Sequence, residues 1–168
     1  MLNGRDVIVA EIPRLRRYAR ALTGQGDRAD DLVQDTLERA LEKWRFWQSS
    51  RDLRPWLFSI MHNLHVDHYR REARVDYRED EDLPDLPQRA EQADALELRD
   101  LDRALAMLPL EQREVLLLVA LEELSYADVA KALGLPAGTV MSRLSRARTR
   151  LKSILAGERV SHLKVVNT

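Results

Sequence analysis

The chain has 168 residues, enough for one ordinary domain or two small ones, with 27 basic and 28 acidic side chains and no cysteine. The missing cysteine excludes disulfides, a thiolate nucleophile and a Cys-ligated zinc site. No apolar run approaches the ~18 residues of a membrane span, and the N-terminus MLNGRDVIVAEIP lacks a signal-peptide layout, so a cytoplasmic protein is expected.

Aromatics, Gly and Pro are few while Leu, Ala, Arg and Glu dominate, which points to an all-helical fold. The net charge of −1 argues against a generic nucleic-acid binder, but it hides a pattern. Residues 1–75 hold 14 basic and 11 acidic side chains, residues 76–100 hold 3 and 10, and residues 101–168 hold 10 and 7. Two mildly basic blocks are thus separated by an acidic one.

A first helix is predicted from about Ile12–Pro13, with Leu15, Tyr18, Ala19 and Leu22 as its apolar stripe and Gly24 closing it. Asp27 is a good N-cap for the next, where Ala29, Leu32, Val33, Thr36, Leu37, Ala40, Leu41 and Trp44 recur at helical spacing. Its other side carries Asp31, Gln34, Asp35 and Glu38 as a continuous strip. That strip reads either as a solvated surface, its early carboxylates favouring the helix N-terminus, or as a docking face for a basic partner.

Trp44, Phe46, Trp47, Trp56 and Phe58 then cluster around a polar, aperiodic stretch, Gln48–Asp52, which reads as a loop. The following helix is predicted from Pro55, burying Trp56, Leu57, Ile60, Met61 and Leu64 and ending in Arg70, Arg71 and Arg74. Aromatics beside polar loop residues and arginines suit a single nucleic-acid strand; the same aromatics also serve as the core of a small helical domain. His62, His65 and His68 suggest a metal, but steps of three drift around a helix, so no metal site is expected and a polar or DNA-facing surface is preferred.

Val75–Arg89 is acidic, holds two prolines and has no apolar period, so it reads as a flexible linker. Helix resumes near Ala90 with Leu101, Ala104, Leu105 and Leu108 as its apolar set, and Glu111–Leu121 should be the buried centre of a second domain. Ser125 is placed to cap a helix Tyr126–Leu133 that buries Val129, Ala130 and Leu133; Gly134 ends it and Pro136 bars its continuation. A second helix from Ala137–Thr139 carries Val140, Leu144, Ala147, Leu151 and Leu155 on one stripe. Ser142, Ser145 and Thr149 face the other way, flanked by Arg143 and Arg146. A short helix, a Gly turn and a longer helix with a small-polar and Arg face is how a helix-turn-helix enters the major groove. Gly157 is expected to end the helix and leave a loose tail, residues 157–168.

ADDLVQDTLERAL (Ala29–Leu41), RPWLFSIMHNLHVDHYRR (Arg54–Arg71), LPLEQREVLLL (Leu108–Leu118) and LSYADVAKALGLPAGTVMSRLSRARTRL (Leu124–Leu151), in this order, resemble bacterial RNA polymerase sigma factors. The resemblance is to the extracytoplasmic-function (ECF) class, which keeps only sigma regions 2 and 4. It implies two small helical domains, 1–74 (region 2) and 91–156 (region 4), joined by the acidic flexible linker 75–90. Core polymerase would be met through its β′ clamp helices, by Asp31, Gln34, Asp35 and Glu38, and through its β subunit. The −10 element would be held by Gln48, Ser49, Ser50, Arg51 and Asp52 around a flipped base, by Asn63 on the melted strand, and by Arg70 and Arg71 on phosphates. The −35 duplex would be read by Thr139, Ser142, Arg143, Ser145 and Arg146. Met141 stands where many members carry Lys or Arg. An anti-sigma partner is implied; no cofactor, catalytic residue or metal is. The alternative is a helix-turn-helix regulator that binds duplex DNA without polymerase.

Overall fold

The computed structural model describes residues 3–24, 26–47, 52–76 and 93–165, and every regular element in them is helical. The order is α1 (Gly4–Ala10), α2 (Ile12–Thr23), α3 (Gly26–Glu42), a single 3₁₀ turn (Trp44–Phe46), α4 (Leu53–Asp76), α5 (Ala93–Ala106), α6 (Leu110–Ala120), α7 (Tyr126–Leu133) and α8 (Ala137–Val165).

The N-terminal half is built on the stripes that periodicity predicts, except that Leu41, expected on the α3 stripe, is 44% exposed. Leu15, Tyr18, Ala19 and Leu22 of α2 are buried against Ala29, Leu32, Val33, Thr36 and Ala40 of α3. Thr36, a polar residue in that face, is satisfied by donating its hydroxyl to Leu32 O at 2.7 Å. Gly24 closes α2 at φ 70°, a left-handed value that costs glycine little. Helix α1 precedes the first predicted element. Val7, Ile8 and Val9 run consecutively rather than at helical spacing, and only Ile8 is buried.

The C-terminal half packs α6 on α8, with Val115, Leu116, Leu117 and Leu118 buried on α6 and Val140, Leu144 and Ala147 buried on α8. Ser125 caps α7 as expected, its Oγ accepting from Asp128 N at 3.1 Å, and Gly134 ends α7 at φ 66°. Three expectations need correction. Ala132 rather than Ala130 completes the buried face of α7. Leu101 is exposed, not core. Gly157 does not end α8, which continues to Val165. One glycine costs a helix only about 1 kcal/mol, and Gly157 does not take the left-handed backbone of a C-cap.

The two halves do not stand apart. Their buried side chains form one contiguous cluster, from Ile8 and Leu15 through Met61 to Leu105, Val129 and Val140. Helix α2 lies against α5 and α6, and α7 lies against α4. The linker expected at 75–90 falls almost wholly outside the described residues.

Candidate nucleic-acid and polymerase interface

The helix-turn-helix presents its reading face to solvent. Ser142, Ser145 and Arg146 are exposed, as are Arg148, Arg150 and Lys152 beyond them, while Val140, Leu144 and Ala147 anchor the opposite side. Thr139 is half-buried and its carbonyl accepts from Ser142 Oγ at 3.1 Å. Arg143 is partly covered, with Nη2 3.6 Å from the Glu111 carboxylate. Met141 is 55% exposed on the same helix, an apolar contact among polar ones.

On α3, Asp31, Gln34 and Glu38 are exposed and Asp35 half-buried, a strip that apolar packing on the other side of α3 holds outward. Gln34 Nε2 donates to Glu38 Oε1 at 3.4 Å, and Asp35 Oδ2 lies 3.2 Å from His68 Nε2. Asp31, Gln34 and Asp35 border a cleft of about 680 Å³, whose far wall is Leu108, Pro109, Leu110 and Arg113 of the C-terminal half.

Near the aromatic loop, Trp44, Trp47 and Trp56 form a block: Trp44 stacks on Trp47 at 4.8 Å, and Trp56 lies 6.3 Å from each. Phe46 is left 75% exposed, with the Arg45 guanidinium 5.7 Å above its ring. Gln48, Ser49, Ser50 and Arg51 lie outside the described residues; Asp52 is exposed at the loop's end. Asn63, Arg70 and Arg71 are exposed on α4, and Asn63 and Arg70, seven residues apart, share a face.

The three histidines do not converge on a point, and the DNA-facing reading does not hold for them. His62 Nδ1 pairs with Glu114 Oε1 at 2.7 Å and His68 pairs with Asp35. His65 sits between, its Nε2 buried without a hydrogen-bond partner among the described residues. Burial, reinforced by Arg113, His68, His62 and Arg28, pushes its pKa down to about 4. The unfolded chain, with its His near the ordinary 6.5, binds the extra proton between those values. His65 should therefore stabilise the fold fully above about pH 6.5 and lose that contribution as pH falls towards 4. Urea denaturation at pH 7 and pH 4.5 should show wild type losing about 2 kcal/mol more than His65→Gln. Equal losses would remove the assignment.

Sequence reasoning missed the polar contacts that join the halves. Glu114 and Glu122, only 3% and 2% exposed, come from the C-terminal half. Glu114 meets His62, and Glu122 meets Arg17 at 3.2 Å and Arg14 at 3.8 Å. Between them lies Tyr18, whose hydroxyl is raised by burial and by both carboxylates, partly offset by Arg113. Arg113 donates to Leu105 O, Leu22 O, Ala106 O and Leu108 O at 2.8–3.0 Å, sealing the end of α5 and reaching across to α2. The available signal was a Glu inside an apolar run, EVLLLVALEEL, but its partners lie 52 and 105 residues away.

Residues 8–62 match the family model described as the Sigma2 domain of PhyR, and residues 91–151 match Sigma-70, region 4. The chain is 41% identical to the ECF RNA polymerase sigma factor EcfG of Rhodopseudomonas palustris, across 90% of this chain and 84% of that protein. Its fold is similar to the sigma factor RpoE solved with the anti-sigma factor NepR from Bartonella quintana, with a TM-score of 0.80 at 35% identity over 90% and 96% of the two chains. It is also similar to CnrH solved with the cytosolic domain of CnrY, with a TM-score of 0.70 at 28% identity over 92% and 88%.

Proposed function

The chain belongs to the ECF RNA polymerase sigma factor family, and from that membership we infer that it binds core RNA polymerase, directs it to particular promoters and stabilises the melted state. It is a transcription initiation factor that performs no covalent chemistry. Residues 1–74 act as region 2 and residues 91–156 as region 4, working in the bacterial cytoplasm. Among the described residues no helix is long and apolar enough to cross a membrane.

The observation that carries the reading is the pairing, in one chain, of an exposed Ser142/Ser145/Arg146 face with an outward acidic strip on α3. The first suits base edges in a major groove. The second suits a basic protein surface and repels DNA. Asp31, Gln34, Asp35 and Glu38 are assigned to the β′ clamp helices; Gln48–Asp52, Asn63, Arg70 and Arg71 to the −10 strand; Thr139, Ser142, Arg143, Ser145 and Arg146 to the −35 duplex. A net charge of −1 keeps affinity for free DNA low, so the polymerase supplies the effective concentration that a lone duplex-binding regulator lacks. By analogy with RpoE, which was solved with the anti-sigma factor NepR, an anti-sigma protein is the partner that holds it off.

The test is transcription in vitro with core polymerase on a library of promoter templates. A set of start sites absent with core alone is expected. Tight, specific duplex binding without polymerase, and no new start sites, would favour the regulator instead.

A further inference from the structure

Val140, Leu144 and Ala147 are buried and fix the rotation of α8 about its own axis. At about 100° per residue, Gly138, Met141, Ser142 and Ser145 then share the solvent side of its first turns, and all four are exposed. In a helix-turn-helix the N-terminal residues of the second helix are the ones that meet base edges. Met141, 55% exposed, is the large apolar member of the set. A lone exposed methionine elsewhere on a surface would be ordinary. Its neighbours make this one different. Gly138 has open space where a Cβ would stand and its φ is not left-handed, so nothing within the fold calls for a residue that weakens a helix relative to alanine. A bare backbone is what a close approach from outside requires. Ser142 and Arg143 are already engaged: the Ser142 hydroxyl donates back to Thr139 O at 3.1 Å, and Arg143 Nη2 lies 3.6 Å from the Glu111 carboxylate. Polar readout at the head of the helix is thereby reduced, and an apolar contact gains weight.

We propose that Met141 is a specificity-determining residue for duplex DNA: in the major groove it packs its Sδ and Cε against the C5-methyl of a thymine and so selects T at one position of the element. Among the donors and acceptors of the major groove, the thymine methyl is the apolar group. An uncharged side chain without a donor cannot hold a phosphate or bond a guanine edge. Its rotatable bonds and polarisable sulfur let it settle on a methyl without close shape matching. Cytosine presents an amino group and no methyl, so it gives up that contact. One methyl-sized group removed from water corresponds to about a fourfold preference. The contact therefore sharpens the choice of element and does not carry the binding. The inference rests on the assignment of α8 to the −35 duplex made above.

Deoxyuridine pairs as thymine does but lacks the C5-methyl, so it removes the proposed contact and leaves the hydrogen-bonding edge intact. A promoter drawn from the template library is rebuilt with deoxyuridine at each thymine of the −35 element in turn, on either strand, and initiation with core polymerase is measured. At one position wild type should lose about fourfold. Met141→Ala should be about fourfold weaker on the unmodified template and lose nothing further at that position. The reverse exchange supplies the methyl: with cytosine there, 5-methylation should raise initiation by wild type by a similar factor and leave Met141→Ala unmoved. Because Met141 is exposed, the alanine variant should keep its helicity by circular dichroism. A methyl effect of equal size in both proteins would assign it to the shape of the duplex and overturn the proposal. So would the absence of any methyl effect in wild type. If core polymerase gains no start sites, the proposed function fails. The same series on duplex selected by the full-length protein alone, read by anisotropy, then still decides the methyl contact, and failure to select any duplex overturns both.

Discussion

With Asp31→Lys and Asp35→Lys combined, the chain is expected to lose core polymerase binding by a factor of about 10²–10³ while remaining folded. The strip stands outward because the opposite side of α3 is anchored by Ala29, Leu32, Val33 and Ala40, so reversing its charges leaves the core untouched. Asp35 gives up its contact with His68, a partly exposed pair worth under about 1 kcal/mol. Against a basic partner, two reversals convert attraction into repulsion, and like-charge juxtaposition at an interface costs several kcal/mol. Co-elution with core polymerase on a sizing column measures the loss, and circular dichroism measures the fold. Undiminished co-elution would move the docking surface elsewhere on the molecule.

Arg113→Met is expected to be the most destabilising single change, costing about 3–5 kcal/mol. The guanidinium satisfies four carbonyls at once, three at the end of α5 and its following turn, and Leu22 O at the end of α2. Methionine fills similar volume but withdraws the donors from those carbonyls, of which Leu105 O keeps Leu108 N as a partner, and removes the positive charge beside Glu114 and Tyr18. Lysine should recover little, because one ammonium cannot reach four acceptors spread in a plane. Urea midpoints of the three proteins give the answer. A loss below about 1 kcal/mol for methionine would mean that water replaces the guanidinium without penalty.

The features legible in the sequence are those written in neighbouring residues. Ser125 with its helix, Gly134 at its end and the Val140–Leu144–Ala147 stripe are local signals, and the structure contains each of them. Where local signals mislead, the reason is also local. Val7–Val9 has no helical period, so α1 was invisible, and Gly157 imitates a stop that flanking helix formers override. Glu114 and Glu122 are a different case. Each reads as an ordinary surface acid until a chain segment from the far half is folded onto it, and that pairing depends on three-dimensional closure rather than on spacing. The exposed candidate residues on α3, α4 and α8 could be found from pattern and resemblance; the contacts that join the halves could not.

The contiguous core has a consequence for how this chain can drift. Because Leu105, Val129 and Val140 share one buried cluster with Ile8, Leu15 and Met61, the mutational tolerance of the two halves is not separable. A cavity opened under the recognition helix draws on the same small stability margin that keeps the α3 strip in place. Selection on promoter reading at one end therefore constrains the interior of the other, and exchanging either half for a relative's would require its junction residues to travel with it.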